Sequence, residues 1–216
     1  MTFHYPGTHN GVEAFGYTFA PGKKYLLTSA SGGGKSTVAQ LVAGLYRCEA
    51  GTVEYPCTLR SAREVLYVPQ QAHVFQDTLR NNLALGEDFT EDAMHEALRA
   101  CCLTEFLAGL PNGLDEVLRD RYACSGGEAA RLGLARAILR RPRVLICDEV
   151  TAHLDGATAQ QIDALLTALP GVLLLNVSHK ISEAAAGRYD EVLRLENGRL
   201  VESGPPPARN RRQGAG

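Results

Sequence analysis

The chain has 216 residues, of which 45% are hydrophobic and 21% are charged, so the composition predicts a packed globular domain and excludes a wholly disordered protein. The formal net charge of -2 excludes the basic excess of a general nucleic-acid binder. The six cysteines form no C-x-x-C pair, so we expect reduced thiols in a cytosolic protein and no zinc site or redox motif.

In chain order, short apolar runs alternate with helical periods. The apolar runs predict strands at residues 11–20, 23–30, 51–55, 64–68, 143–147 and 171–177. Helical periodicity predicts helices at residues 35–46, 157–169 and 181–187, and through most of residues 87–139, where Thr90 is expected to cap a helix. A hairpin is expected around Asn197-Gly198. This alternation favours an α/β fold with a mostly parallel sheet covered on both faces.

The domain organisation follows from the same pattern. We expect one domain at residues 1–204, with a helical subdomain inserted at about residues 78–140. Residues 205–216 carry proline, glycine and arginine without an apolar face, so this tail is predicted to be disordered. We expect no signal peptide and no membrane span, because the longest apolar run, "GVLLLNV", is too short to cross a bilayer.

The stretch "SASGGGKST", residues 29–37, lies between a predicted strand and a predicted helix. Its glycines allow backbone N–H groups to surround an anion, and the helix that follows adds its positive dipole end. Lys35 is expected to bridge the β- and γ-phosphates, and Ser36 to bind Mg²⁺. The alternative is an ordinary glycine-rich turn, which the sequence GKST in this position does not favour.

A second candidate anion site is "CSGGE". Ser125 and Glu128 have the spacing of a capping box, which alone would explain them as a helix start. The pair Gly126-Gly127 weakens a first helical turn unless something must approach the backbone there.

Three strand ends carry polar side chains: Gln70, the pair Asp148-Glu149, and His179. A carboxylate at a strand end beside a phosphate loop can hold the water shell of Mg²⁺, and the next carboxylate can polarise an attacking water. Each of these features alone is also compatible with an ordinary loop residue.

Their order along the chain is decisive: phosphate loop, strand-end Gln, helical insert, SGGE, strand-end Asp-Glu, strand-end His. In this order the chain resembles the nucleotide-binding domain of ATP-binding cassette (ABC) transporters over roughly residues 1–204. The segments "FHYPG" and "VPQQAHVFQDTLRNNL" are most similar to the exporter branch. The resemblance implies a P-loop NTPase fold, with a RecA-like core and an N-terminal antiparallel β portion.

The resemblance also implies site residues. Tyr5 would stack on adenine, and Walker A would consist of Ser29, Ala30, Ser31, Gly32, Gly33, Gly34, Lys35, Ser36 and Thr37. The signature Ser125, Gly126, Gly127 and Glu128 would approach the γ-phosphate held by a second, facing protomer, and Asp155 would lie at the dimer seam. Glu149 would be the catalytic base, assisted by His179 and Gln70. Mg²⁺ would be bound by Ser36, Gln70 and Asp148.

Several positions depart from the family pattern. Ser29 replaces the first glycine of Walker A, and Cys124 and Glu128 stand where the signature usually has Leu and Gln. Asp148 would be the Walker B acid, and Val150 and His153 alter the segment after it. Because Lys35 and the strand-end side chains are all present, we expect a working site.

The resemblance implies an Mg-ATP-hydrolysing cassette that dimerises head to tail around ATP and powers a transmembrane domain or subunit, in the export direction. The second cassette would be another copy or a homologue. Without a span of its own, the chain would lie at the cytoplasmic face of the inner or plasma membrane through that partner, with no nucleic-acid partner. Two alternatives stay open: a soluble, non-transport ABC-type ATPase, and a low-turnover cassette gated by ATP.

Overall fold

The computed structural model describes residues 1–8, 10–56, 59, 64–119, 124–179 and 182–206. Residues 207–216 of the tail that is predicted to be disordered lie outside the described residues. The strands are β1 (Phe3–His4), β2 (Gly11–Val12), β3 (Lys24–Ser29), β4 (Val65–Val68), β5 (Val144–Asp148), β6 (Leu173–Val177), β7 (Glu191–Glu196) and β8 (Arg199–Gly204). The helices are α1 (Lys35–Val42), α2 (Leu79–Ala84), α3 (Glu91–Ala100), α4 (Thr104–Ala108), α5 (Gly126–Leu139), α6 (Gly156–Ala168) and α7 (Glu183–Ala186).

The main sheet has six strands in the order β4-β5-β6-β3-β7-β8. All neighbours in it are parallel except β7 and β8, which form the hairpin that the sequence predicts. Parallel strands end at one edge, so the residues that follow β3, β4, β5 and β6 lie side by side there. This edge carries the phosphate loop and the three polar strand ends.

The inner strands β3, β5 and β6 bury both of their faces, in separate cores. On β3, Tyr25 and Leu27 pack into a core with α1 and the N-terminal segment, whereas Leu26 packs on the opposite face. The alternation follows the two-residue period of a strand. The fold is therefore the predicted α/β arrangement, with helices covering both faces of the sheet.

The predicted strands at residues 11–20 and 51–55 are largely wrong. Pairing with β1 extends only over Gly11–Val12, and residues 51–55 form no strand. In the described part of the chain, the backbone pairing next to residues 51–55 is the single bridge between Thr2 and Ala50. Apolar, β-branched residues there favour an extended chain, but a strand also requires a partner to complete its ladder.

The helix predicted at residues 35–46 ends early, at Val42. The predicted helix cap at Thr90 is confirmed, because its side chain accepts a hydrogen bond from the Ala93 N–H.

Helix α5 connects the helical segment to the sheet, because it packs against α2, α3 and β4. Its Arg136 is buried and donates to the carbonyl oxygen of Asn82 at 2.6 Å, to Asn82 Oδ1 at 2.8 Å and to the carbonyl oxygen of His73 at 2.6 Å. Asn82 in turn donates to the Phe75 carbonyl at 3.0 Å. These bonds fix the chain that follows Gln70 onto the helices.

A second buried polar network lies between α6 and β6. Tyr189 Oη donates to Asp163 Oδ1 and accepts from Asn176 Nδ2, and Arg188 Nη1 lies 3.4 Å from Asp163 Oδ2. Burial raises the pKa of Asp163, while Tyr189 and Arg188 oppose that rise.

The β7–β8 turn lies directly behind the phosphate loop. Asn197 and Gly198 both have positive φ, at 49° and 74°, which is the conformation of a type I′ turn. The N–H of Gly198 donates to the carbonyl oxygen of Gly33 at 3.2 Å. A Cβ at Gly198 would lie 2.6 Å from the carbonyl oxygen of Gly11, so only glycine fits between the N-terminal segment and the loop.

Candidate active site

The loop of residues 29–37 begins at the last residue of β3 and ends in the first turn of α1. Gly32 and Gly34 have φ of 75° and 92°, values that side-chain-bearing residues rarely adopt. Gly34 is the N-cap of α1 and has no side chain to satisfy the first N–H groups. These groups and the helix dipole therefore point into the loop and are free to bind an anion.

Lys35 lies inside the loop with only 3% of its surface exposed. Its Nζ donates to the carbonyl oxygens of Ser29 and Ala30 at 3.3 Å each, and to Ser29 Oγ at 3.0 Å. Burial lowers the pKa of Lys35, and the nearby carboxylates of Glu149 and Asp148 oppose that change. A cation held beside the start of a helix is suited to polyphosphate.

Asp148 and Ser36 meet in front of the loop. Ser36 Oγ donates to Asp148 Oδ1 at 3.0 Å, and Tyr67 Oη donates to Asp148 Oδ2 at 2.8 Å. Burial raises the pKa of Tyr67, and so does Asp148. No group of three His, Cys, Asp or Glu side chains among the described residues could hold a metal ion. One hydroxyl and one carboxylate do fit Mg²⁺, which takes one or two protein ligands and completes its shell with water and phosphate oxygens.

Glu149 is held from two sides at the end of β5. His179 Nε2 lies 2.6 Å from Glu149 Oε1, and Gln70 Nε2 donates to Glu149 Oε2 at 3.4 Å. Lys35 Nζ lies 3.0 Å from Nδ1 and 3.3 Å from Nε2 of His179, so the ammonium group contacts the ring near both nitrogens while Nε2 also faces the glutamate. Glu149 has a φ of 53°, a strained conformation of the kind that collects at active sites.

Tyr5 lies beside α1. Its hydroxyl donates to Gln40 Oε1 at 3.1 Å and accepts from Thr37 Oγ1 at 3.4 Å. The side-chain amide of Gln40 reaches on to Tyr67 Oη at 3.5 Å. Hydrogen bonds thus run from Tyr5, at the open side of the loop, to Asp148.

The predicted signature forms the start of α5. Ser125 is its N-cap, and the predicted capping box is confirmed: Glu128 N donates to Ser125 Oγ, while Ser125 N and Oγ both donate to Glu128 Oε2 at 2.7 Å. A Cβ at Gly127 would lie 3.0 Å from Leu154 Cδ2, so the glycine allows close packing against the segment after β5. Within the described residues, the hydrogen bonds of Ser125 and Glu128 stay inside this turn and do not reach the phosphate loop.

Asp155 caps α6. Its Oδ1 accepts from the N–H groups of Ala157 and Thr158 at 3.0 Å each, and the bond from Thr158 lowers its pKa. This local role accounts for Asp155 in a single chain, and its place at a dimer seam stays a prediction.

Residues far apart in the sequence thus converge on one edge of the sheet. The cluster contains Lys35, Ser36, Gln70, Asp148, Glu149 and His179. Sequence reasoning missed Tyr67 and Gln40. Tyr67 could have been found as the one hydroxyl-bearing side chain near the end of β4, the strand that pairs with β5.

A family model for the ABC transporter matches residues 12–152, more than half of the chain. The chain belongs to the ABC transporter family. Its cassette is 35% identical to the ABC-type transporter atr1 of Mycosarcoma maydis, over 95% of this chain and 16% of that protein. It is 34% identical to an ATP-dependent lipid A-core flippase of Burkholderia thailandensis, over 94% of this chain and 36% of that protein.

Solved structures agree with this assignment. The cassette superposes on a bacterial Atm1-family ABC exporter with ATP bound, with a TM-score of 0.81 and 28% identity, over 94% of this chain and 37% of that one. The P-loop α/β fold and membership of the ATPases of this family are therefore established. The cassette spans between about a sixth and two fifths of the length of these relatives. None of the helices described here is long and apolar enough to cross a bilayer.

Proposed function

We propose that this cassette binds and hydrolyses Mg-ATP and that it powers transport through a transmembrane partner, in the export direction. The observation that carries the proposal is the position of Glu149. Its two carboxylate oxygens are held by His179 and Gln70 beside the buried Lys35.

Binding of the triphosphate would fall to residues 29–37. The N–H groups of the loop and of the first turn of α1 donate to phosphate oxygens, and Lys35 supplies a positive charge between them. Tyr5 is partly buried next to α1, where its ring face would stack on the base. Thr37 lies between this ring and the loop and would contact the α-phosphate.

Mg²⁺ would be held by Ser36 and Asp148, with Gln70 within reach of its water shell. When bound, the ion neutralises charge on the phosphates as the terminal bond breaks. The chain itself contributes orientation, because Tyr67 holds one oxygen of Asp148 while the other faces Ser36. Both carboxylate oxygens are therefore fixed before any ligand arrives.

Hydrolysis needs a water in line with the terminal phosphate and a group that takes its proton. Glu149 is the candidate base, since it ends β5 beside Lys35 and has both oxygens oriented. A His179 ring that donates Nε2–H to Glu149 keeps that carboxylate turned toward the loop. The same ring would also contact the terminal phosphate.

A second cassette is expected to complete each site. Ser125 N–H and Oγ–H both donate to Glu128, so the N–H groups of Gly126 and Gly127 would be the donors that this helix start offers to a facing molecule. Two cassettes arranged head to tail would place each signature on the other's nucleotide. Asp155, which caps the neighbouring helix, would lie at the seam.

The transmembrane partner would dock beside the segment that follows Gln70. A cavity of about 730 Å³ opens there, lined by Phe75, Gln76, Asp77, Asn81, Leu85 and Gly86. Phe75 and Leu85 expose 45% and 47% of their surface, and the buried Arg136 connects this segment to α5. Docking there would hold the cassette at the cytoplasmic face of the membrane.

The relatives named above are transporters, so they do not favour the soluble ATPase or the low-turnover regulator as alternatives.

Phosphate release from Mg-ATP tests the hydrolytic part of the proposal. The parent is expected to turn over, and Glu149→Gln is expected to bind ATP without turnover. Co-purification of the full-length protein or complex with a membrane-spanning partner tests the transport part. A parent that binds ATP but releases no phosphate would revive the low-turnover alternative.

A further inference from the structure

Positions 29 and 33 of the phosphate loop are packed against each other. Ser29 occupies the first position of the G-x-x-x-x-G-K-[ST] pattern, and Gly33 occupies its last variable position. A Cβ built on Gly33 would lie 2.3 Å from Oγ and 2.7 Å from Cβ of Ser29. Both distances are shorter than non-bonded contacts allow, and Gly33 is buried. The Ser29 side chain therefore fills the space that a side chain at position 33 would need.

The Ser29 hydroxyl has a defined role in that space. Its Oγ donates to the Ala30 carbonyl at 2.6 Å and accepts from Lys35 Nζ at 3.0 Å. The single proton of the Ser29 hydroxyl is donated to the Ala30 carbonyl oxygen, so the hydroxyl can only accept a hydrogen bond from Lys35. It lies closer to Lys35 Nζ than the carbonyl oxygens of Ser29 and Ala30, which are at 3.3 Å. A glycine at position 29 could not supply this contact.

We propose that Ser29 is a positioning residue for Lys35 and that the absence of a side chain at Gly33 makes room for it. A lysine has a long and flexible side chain, so an added acceptor near its ammonium group restricts it before the phosphates arrive. The effect on nucleotide binding rests on the proposed function, whereas the packing of position 29 against position 33 does not.

A cycle of variants tests this pairing with two measurements. Thermal unfolding without nucleotide reports the packing, and titration with a fluorescent ATP analogue in Mg²⁺ reports the position of Lys35. Gly33→Ala is expected to lower the unfolding temperature and to weaken binding at least about tenfold, because the new Cβ overlaps Ser29. Adding Ser29→Gly to Gly33→Ala is expected to recover most of the lost unfolding temperature and most of the lost affinity, because the closest contact that remains is the 3.1 Å approach of the new Cβ to the Ala30 carbonyl oxygen.

Ser29→Ala separates the hydroxyl from the space it fills. Alone, it is expected to weaken binding roughly threefold to tenfold, as Ser29→Gly does, because Lys35 loses one acceptor. It is not expected to rescue Gly33→Ala, since the Cβ of residue 29 would still lie 2.7 Å from the new Cβ. If Gly33→Ala is too unstable to purify, recovery of folded protein in the variant that also carries Ser29→Gly provides the same test.

Gly34→Ala is the matched control. A Cβ at Gly34 would lie 2.9 Å from the carbonyl oxygen of Gly11 and has no close contact with Ser29, so Ser29→Gly is not expected to rescue it. The proposal is overturned if Gly33→Ala alone melts and binds like the parent, or if Ser29→Gly leaves it unimproved. If the parent does not bind the analogue, the proposed function is rejected. If Ser29→Gly still restores the unfolding temperature of Gly33→Ala, the packing of position 29 against position 33 is supported all the same.

Discussion

His179 Nε2 lies 2.6 Å from Glu149 Oε1, and Nδ1 of the same ring lies 3.0 Å from Lys35 Nζ. One imidazole thus bridges the lysine of the phosphate loop and the carboxylate that would activate water. Because both groups contact the same ring, the base and the phosphate-binding cation are positioned together.

Lys35→Ala is expected to abolish most of the affinity for ATP. The change removes a buried charge from the phosphate site, a loss on the order of 2–3 kcal/mol. Titration with a fluorescent ATP analogue measures it. Lys23→Ala, which removes an exposed lysine paired with Asp190, is the control and is expected to bind as the parent does. Equal affinity in the Lys35 variant and the parent would exclude residues 29–37 as the site.

Glu149→Gln is expected to retain ATP binding and to lose turnover by a factor of roughly 10² or more, since an amide cannot take the proton of the water. Steady-state phosphate release measures the loss. Glu202→Gln, on the exposed strand β8, is the matched control and is expected to turn over normally. A Glu149 variant that hydrolyses within a few-fold of the parent would require another base.

Glu128→Gln is expected to tighten ATP-driven dimerisation. In the capping box the carboxylate of Glu128 holds both N–H and Oγ of Ser125, so its charge lies beside the group that would face the partner's phosphate. At about 8 Å and an effective dielectric of 20–40, each pair of like charges costs on the order of 1–2 kcal/mol, less in salt. A glutamine would keep an acceptor for the cap and remove this repulsion.

Sedimentation of Glu149→Gln in Mg-ATP, with and without Glu128→Gln, at two ionic strengths, measures the effect. The gain in dimerisation is expected to be larger at low salt. Glu105→Gln, on the exposed side of α4, is expected to produce no such gain. If the Glu128 change does not improve dimerisation at low salt, its carboxylate acts only as a helix cap.

Tyr67→Phe is expected to weaken ATP binding in Mg²⁺ by about 1–2 kcal/mol and to leave binding in EDTA unchanged. The ring stays in place, but Asp148 Oδ2 loses the hydroxyl that orients it. Titrations with and without Mg²⁺ separate the two effects. Tyr17→Phe removes a comparable bond to a carboxylate, that of Glu191, and is expected to change neither titration. Equal losses with and without Mg²⁺ would assign Tyr67 to general packing.

Asp163→Asn is expected to change the pH dependence of stability. Burial raises the pKa of Asp163 in the folded state, so the folded protein binds this proton more tightly and loses stability as the pH rises through that pKa. The asparagine does not titrate. The unfolding free energy of the variant relative to the parent is therefore expected to increase from pH 4 to pH 8.

Asp190→Asn provides a control of opposite sign. Although burial opposes it, hydrogen bonds from Lys23 Nζ and the Lys24 N–H lower the pKa of Asp190. The stability that this carboxylate contributes is present at neutral pH and is lost as the pH falls through its lowered pKa. Urea unfolding at several pH values measures both variants, and parallel curves for the parent and Asp163→Asn would contradict the prediction.

The edge of the sheet that carries the site could be predicted from the sequence. Parallel strands end together, so a phosphate loop and polar residues at three later strand ends must meet. The contribution of Tyr67 to the site could not be predicted in the same way, because its contact with Asp148 depends on the register of β4 against β5. The strands predicted at residues 11–20 and 51–55 failed for a related reason: β-propensity describes one segment, whereas a strand requires a partner. The role of Ser29 could not be predicted, because it depends on the packing of its side chain against Gly33.

The contact between Gly198 and Gly33 also has a consequence for synthesis. Gly33 of the phosphate loop leaves the ribosome before Gly198, in the turn that supports the loop from behind. The nucleotide site cannot close while the protein is still being translated through β6. A nascent cassette is therefore expected to gain protection by ATP against proteolysis only after residue 198 has emerged from the exit tunnel.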